Sequence, residues 1–213
     1  MLRMGARTET RERMLRAAVD LLAERGYEGF GVLDVVARAN ASRGSIYFHF
    51  PDGKDQIVLE AMHLASQRRL DHFGQAVRGA TDTATAVRET GLFLATVLEA
   101  SDYTMGCPIA AVTLDVTTSH DQLRRRCANF FRSWQSLYLG SLLRDGVDRT
   151  RAERIAMMIV ASLEGAMVLA LAQRSAHVLI DVSHECAELC NTMPSSDALT
   201  APADQSSVKD GEQ

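Results

Sequence analysis

Apolar side chains recur at intervals of three and four residues along almost the whole chain, and the strict alternation that is typical of strands is missing. The segment at residues 8–25 shows the pattern clearly, and Gly26 supplies a stop at its C-terminal end. Its apolar face is formed by Met14, Leu15, Ala18, Leu21 and Leu22. Repeated along the chain, this periodicity predicts about nine helices and an all-α fold.

Three of these helices are predicted in the first 52 residues, at about residues 8–25, 32–39 and 43–49. Asn40 lies in the turn between the second and third, and asparagine tolerates the left-handed conformation that a tight turn needs. Ser42 is expected to cap the third helix, with its hydroxyl accepting from backbone amides. Two short helices joined by a short turn and braced by a longer helix describe a helix-turn-helix.

The start of the third helix is the predicted DNA-reading edge, because the second short helix of this motif enters the major groove and presents its first residues to base edges. Those residues are Ser42, Arg43, Gly44 and Ser45. Arg43 can make a bidentate contact to guanine, a serine hydroxyl can serve a base or a phosphate, and a glycine lets the helix approach closely. One turn later, Tyr47 and His49 can donate to phosphates.

The same stretch holds three aromatic rings, Tyr47, Phe48 and Phe50, and all three could instead be core residues. Phe48 and Phe50 gain most from burial because their rings carry no polar group, so we expect them to support the helix from behind. For Tyr47 and His49 the core alternative stays open beside the DNA role.

Charge is distributed unevenly along the chain. The net charge is −4, yet residues 1–16 carry five arginines against two glutamates, about +3, so the remainder sums to about −7. An acidic protein with a basic end can hold a phosphate backbone at that end. The alternative is that Arg11, Arg13 and Arg16 form the solvated face of a helix.

The composition is that of a soluble protein with a real core, since 46% of the residues are hydrophobic and 23% are charged. No apolar run approaches the roughly 18 residues needed to cross a bilayer, and the charged N-terminus lacks the apolar segment of a signal peptide. We therefore expect a cytoplasmic protein without a membrane partner. Its four cysteines are then expected to be reduced.

The stretch RERMLRAAVDLLAERGYEGFGVLDVVARANASRGSIYFHF resembles the DNA-binding domain of the TetR family of bacterial transcriptional repressors. The resemblance covers about residues 8–60 and departs from the family pattern at two places. Phe30-Gly31 stands where the family often has threonine before the second helix, and Asn40 stands where it often has glycine. The resemblance implies that Lys54, at the start of the fourth helix, contacts a phosphate.

Three further motifs resemble the LmrA/YxaF-like branch of that family. They are the extra residue in Phe50-Pro51-Asp52-Gly53-Lys54, the run Met105-Gly106-Cys107-Pro108-Ile109-Ala110-Ala111, and Leu163-Glu164-Gly165-Ala166. Members of this branch are typically repressors released by a ligand, and several control multidrug efflux or oxidoreductase genes. The resemblance implies a regulator of this kind that binds double-stranded operator DNA.

Residues 53–193 are predicted to form a helical ligand-binding and dimerisation domain, and residues 194–213 a disordered tail. The eighth helix, at about residues 151–174, is apolar almost all round and carries alanines and glycines that let another helix approach closely. This pattern predicts a homodimer through the last two long helices, packed as a four-helix bundle. The resemblance implies the same interface, and a two-fold dimer reads a near-palindromic operator.

The resemblance implies a small-molecule inducer in the larger domain, where methionine and aromatic side chains can shape an adaptable apolar cavity. The candidate contacts are Phe93, Met105, Cys107, Phe130, Trp134, Tyr138, Met158 and Met167. The alternative for each is an ordinary place in the hydrophobic core. Such a ligand can act only if it binds two forms of the dimer unequally. It must bind the form whose heads are wrongly spaced for DNA more tightly than the form whose heads fit the operator.

Other classes of protein have less support in the sequence. Motifs of nucleotide-binding or hydrolytic enzymes are missing, so we predict no catalytic residues, no cofactor and no metal. Cys107 precedes Pro108 at a helix start, where a thiolate is stabilised, which makes a redox or electrophile sensor the alternative function. A metal site at His184, Cys186 and Cys190, and a regulator that recruits proteins rather than DNA, are further alternatives.

Overall fold

A computed structural model describes residues 2–116 and 120–191, with side chains from residue 8 onward. This part of the chain contains nine helices and no strand, which confirms the all-α prediction. The helices are α1 (Leu2–Arg25), α2 (Val32–Arg38), α3 (Arg43–His49), α4 (Lys54–Gly79), α5 (Thr83–Ala100), α6 (Pro108–Asp115), α7 (Asp121–Arg144), α8 (Arg149–Gln173) and α9 (His177–Asn191). The tail predicted at residues 194–213 lies outside the described residues.

Helices α1 to α3 form a small N-terminal head around a common apolar centre. Met14 and Leu22 of α1, Val35 of α2 and Ile46 of α3 are fully buried there. Asn40, in the turn before α3, has φ of 48°, which confirms the expected left-handed turn residue. This head is the predicted helix-turn-helix, and α4 connects it to the larger body.

The body packs α4 against α7, α5 against α9, and α7 and α9 against α8. A layer of aromatic rings lies at its centre, where Phe73 of α4 stacks on Trp134 of α7 with ring centroids 4.5 Å apart. The buried Tyr138 hydroxyl donates to Thr90 Oγ1 at 2.9 Å, and Thr90 donates in turn to the Ala86 carbonyl. Because both hydroxyls are paired, this polar pair is accommodated in the core without an unsatisfied donor.

Helix α8 differs from expectation, because it contains an 18-residue window apolar enough to cross a bilayer by length and composition. The prediction that no such run exists is therefore wrong. A core helix of a soluble protein has the same composition, and 44% of this window is buried inside the protomer. The apolar side chains on its outer face include Met157, Met158, Val168 and Leu169.

Candidate nucleic-acid interface and apolar cavities

Helix α3 has one buried face and one solvent-facing face. Ile46 and Phe50, one helical turn apart, are fully buried against the head. The predicted reading edge lies on the other side, where Ser42, Arg43 and Gly44 are exposed and Ser45 is half-buried. A Cβ placed on Gly44 would meet nothing within 4 Å, so the open space beside this glycine faces solvent.

The first turn of α3 is closed differently from the prediction. Ser42 occupies the N-cap position with an extended backbone, but its side chain makes no capping hydrogen bond. The expected hydroxyl cap is therefore wrong. The Ser42 carbonyl instead accepts from the Ser45 amide at 3.0 Å and from the Ser45 hydroxyl at 2.6 Å. Since the main chain closes the turn, the Ser42 side chain stays on the exposed edge.

The aromatic run of α3 divides between core and surface. Phe50 is buried as expected, whereas Phe48 is 63% exposed beside Tyr47, which is 64% exposed. The prediction that Phe48 supports the helix from behind is wrong, because α3 already turns Ile46 and Phe50 inward and Phe48 falls between them. The one-turn spacing of Ile46 and Phe50 is visible in the sequence, and it would have predicted that Phe48 lies on the exposed side of the helix with Tyr47. The His49 ring is half-buried, edge-on to Phe48 at 5.1 Å.

Lys54 begins α4 directly behind the head. Gly53, which precedes it, has φ of +71° and supplies a turn conformation that most residues avoid. The Lys54 ammonium lies 4.4 Å from the centre of the Tyr27 ring and 5.2 Å from that of Phe30. Both rings attract a cation and fix the side chain at the start of the helix.

The arginines of α1 are engaged within the protein. Arg11 pairs with Glu60 of α4 and lies over the Phe50 ring at 4.9 Å. Arg13 Nε donates to the Ala39 carbonyl at 3.2 Å, while Arg16 pairs with a glutamate one turn earlier on α1. These contacts favour the structural interpretation of the three arginines over the phosphate-binding one.

The head and the body meet at the end of α1. Asp115, the last residue of α6, accepts from the backbone amides of Tyr27 at 2.7 Å and Glu28 at 3.3 Å. The Tyr27 hydroxyl donates to Asp55 of α4 at 2.6 Å. Burial, together with the nearby Asp55 carboxylate, raises the pKa of Tyr27. A Cβ at Gly26 would collide with the Asp115 carboxylate, so this contact needs glycine there. Asp115 therefore ties the end of α6 to the turn after α1.

Two apolar cavities flank α6. The first, of about 380 Å³, is lined by Ala110, Thr113, Leu114, Phe131, Gln135, Met157, Val160, Ala161, Glu164, Gly165 and Val168. The second, of about 230 Å³, lies between the end of α1, the segment before α6, and α8, and includes Ala23, Glu24, Gly106, Cys107, Met167 and Leu171. Glu164 belongs to both walls. The size of the first cavity is within the range of small-molecule sites.

The eight predicted ligand contacts do not meet in one cavity. Cys107 and Met167 line the second cavity, and Met105 is half-buried in the segment before α6. Phe130, Trp134 and Tyr138 are buried in and beside the aromatic layer. Phe93 stacks on His72 at 3.5 Å, and Met158 lies on the outer face of α8. Glu164, which stands in the sequence only as part of the motif Leu163-Glu164-Gly165-Ala166, is the polar residue common to both cavities.

None of the four cysteines forms a disulfide in the structure. Burial and the negative charge of Glu164 raise the pKa of Cys107 to about 12. This direction is opposite to the expected stabilisation of a thiolate at the start of α6, on which the sensor alternative depends. At the other suggested site, Cys190 donates to the Cys186 carbonyl at 3.2 Å, while His184 is exposed.

The chain matches known families over both of its parts. Residues 14–61 match the family described as bacterial regulatory proteins of the tetR family. Residues 83–185 match the C-terminal domain described as transcriptional regulator LmrA/YxaF-like. An uncharacterised HTH-type transcriptional regulator of Mycobacterium tuberculosis is 32% identical over 77% of this chain and 85% of its own length. The HTH-type transcriptional regulator LmrA of Bacillus subtilis is 26% identical over 82% of this chain and 93% of its own length.

Solved structures show the same fold. The regulatory protein TetR from Rhodobacter sphaeroides superposes with a TM-score of 0.76 at 17% identity, covering 83% of this chain and 96% of its own. A cysteine-substituted CifR, a TetR-family regulator, was solved in complex with 26-bp operator DNA. It superposes with a TM-score of 0.74 at 19% identity, covering 83% of this chain and 94% of its own. The chain therefore belongs to the TetR family of DNA-binding transcriptional regulators and carries an LmrA/YxaF-like C-terminal domain.

Proposed function

We propose that this regulator is a cytoplasmic homodimeric repressor that binds a near-palindromic operator and is released by a small apolar or aromatic inducer. The observation that carries the proposal is the exposed N-terminal edge of α3, held in place by the buried Ile46 and Phe50. A gel shift on genomic fragments tests it. A regulator that recruits proteins instead would leave every fragment unshifted.

Arg43 has the reading role in this proposal, because its guanidinium is exposed at the first position of α3 and a bidentate contact to guanine is the commonest specific pairing. Arg43→Ala is expected to lower operator affinity by about 1–3 kcal/mol and to relax base preference at one position. Binding selection with randomised operators measures both effects. Arg132→Ala, on the exposed side of α7, is the control. An unchanged preference in Arg43→Ala would contradict this register of α3.

Lys54 has the phosphate-binding role, because its ammonium is fixed at the start of α4 by two aromatic rings. Lys54→Gln is expected to weaken binding to all DNA sequences alike. The slope of log affinity against log salt concentration should become shallower by about 1, as one phosphate contact is lost. Titrations at several salt concentrations measure this slope. A sequence-selective effect would assign Lys54 to base reading instead.

The outer face of α8 supports the proposed dimer. Its apolar side chains alternate with small residues such as Ala161 and Gly165, and a Cβ on Gly165 would meet nothing within 4 Å of the same protomer. Both small residues also line the first cavity, so a second copy packed here would cover the open side of that cavity. A large exposed apolar face of this kind marks an association site. Paired with α9 and its counterparts in a second copy, it forms a four-helix bundle. A two-fold dimer then places one α3 over each half of the operator.

Ligand release is supported by the position of α6. This helix lies between the two cavities and ends at Asp115, whose carboxylate holds the turn after α1. Gly106, just before α6, also donates to the Ala23 carbonyl of α1 at 3.0 Å. A ligand that binds more tightly when α6 is displaced favours the form of the dimer whose heads do not fit the operator. The free-energy difference between the two forms changes by the difference in the ligand's binding free energy for them.

A further inference from the structure

Phe48 lies at the centre of the solvent-facing side of α3. Successive residues of a helix are turned by about 100°, and Phe48 is two residues from each of the buried Ile46 and Phe50. It is therefore nearly opposite to the face that packs on the head, and the residue is 63% exposed. Tyr47 beside it is 64% exposed, so two large rings form one accessible surface. An exposed apolar surface of this kind marks an interaction site.

The surroundings of the Phe48 ring leave room for a partner. Gly44 precedes it by one helical turn, and a Cβ placed there would meet nothing within 4 Å. The nearby Ser45 hydroxyl already donates to the Ser42 carbonyl at 2.6 Å. The middle of this side of α3 is therefore an apolar ring beside open space, while Arg43 supplies a polar side chain at the start of the helix.

The chemistry of the major groove determines which base such a ring fits. Base edges present hydrogen-bond donors and acceptors there, together with one apolar group, the C5 methyl of thymine. An apolar ring against any other base removes water from polar groups without replacing their hydrogen bonds. Against a thymine methyl, the same ring removes apolar surface of both partners from water. The ring therefore favours thymine over the other three bases.

We propose that Phe48 is a second base-reading residue, which packs on the C5 methyl of a thymine in each half of the operator. Arg43 and Phe48 are separated by about 7.5 Å along α3, or roughly two base-pair steps. The thymine therefore belongs to a different base pair from the one that Arg43 contacts. This inference rests on the proposed operator binding through α3, and it adds one base and one chemical group to what that helix reads.

Binding selection with randomised operators locates the thymine. The wild type is expected to select thymine at one position of each half-site. Phe48→Ala should accept any base there and should keep the preference set by Arg43. The selected operator is then synthesised with deoxyuridine at that position in both halves, which removes the methyl group and keeps every hydrogen-bonding group. Wild-type affinity should fall about tenfold, because two apolar contacts are lost.

Two variants separate Phe48 from its neighbour. Phe48→Ala should bind the thymine and deoxyuridine operators equally, because the side chain that contacts the methyl is gone. Tyr47→Phe removes only the neighbouring hydroxyl, so it should keep the tenfold difference between the two operators. Equal binding of both operators by the wild type, or a difference that survives Phe48→Ala, would overturn the proposal.

A crosslinking measurement on the wild-type protein does not depend on how a variant folds. Iododeoxyuridine at the same position carries iodine in place of the methyl group, and near-ultraviolet light joins its base to an aromatic ring in contact with it. Mass spectrometry of the complex should find the crosslink at Phe48. A crosslink at Tyr47 or outside α3 would contradict the assignment.

The failure of this inference can be distinguished from failure of the proposed function. If the wild type shifts no genomic fragment and selects no operator, operator binding is wrong, and the role of Phe48 is wrong with it. If Arg43→Ala relaxes the selected sequence as expected but deoxyuridine has no effect on wild-type affinity, operator binding through α3 stands and the role of Phe48 is overturned.

Discussion

Leu169→Glu is expected to convert the proposed dimer into monomers and to lower operator affinity at least about a hundredfold, because two linked heads bind far more tightly than one. Leu169 is 50% exposed on the outer face of α8, so a glutamate there meets water in a single protomer and leaves the fold intact. In a two-fold interface the same substitution buries one charge from each copy. Light scattering gives the mass, and a titration with operator DNA gives the affinity.

The matched control for this prediction is Gln75→Glu. Gln75 is exposed on α4, outside the two helices of the proposed interface. It should leave both the mass and the operator affinity unchanged. A dimer that persists in Leu169→Glu at micromolar concentration would show that the subunits associate through another surface.

Trp134→Ala is expected to lower the free energy of unfolding by about 3–5 kcal/mol, the usual cost of removing a large ring from a close-packed core. Trp134 is buried, stacks on Phe73 and lies 6.0 Å from the Phe130 ring, so little can move in to fill the space. Chemical denaturation at a fixed protein concentration measures the loss, since the proposed dimerisation would make stability depend on concentration.

Trp134→Phe distinguishes a core residue from a ligand contact. The indole Nε1 is buried without a well-formed hydrogen bond within the described residues, although it interacts with the Tyr138 hydroxyl, so phenylalanine removes a poorly paired donor together with some volume. We expect stability within about 1 kcal/mol of the wild type, because the two effects offset each other. A cost as large as that of the alanine variant would reveal a partner for the indole. Intact stability with lost ligand response would support the predicted ligand role.

The head could be predicted from the sequence almost residue by residue. Helix α3 begins and ends where expected, Asn40 adopts the left-handed turn, and Phe50 is buried. These features depend on neighbours within about one helical turn, so local spacing contains the information. The two errors, the Ser42 cap and the burial of Phe48, arose where side-chain chemistry was given more weight than helical geometry.

The ligand region could not be predicted in the same way. Phe130, Trp134 and Tyr138 have the composition of a cavity wall, yet they pack in the core, while Met158 lies outside on α8. Apolar side chains suit either setting, and the choice depends on how α4, α7 and α8 pack together. The buried Cys107 shows the same limit, because its pKa is raised first by burial between packed helices and then by Glu164 of another helix.

By itself the sequence determined the helices, their order and the exposed edge of α3 as the DNA-reading candidate, since apolar periodicity and turn residues act over a few positions. Only the tertiary structure decided which apolar faces stay open and where the cavities lie. It also joined Tyr27 to Asp115, 88 residues away, and left Glu164 between two cavities with an unpaired oxygen. Such features depend on contacts between distant segments, and no local pattern encodes them.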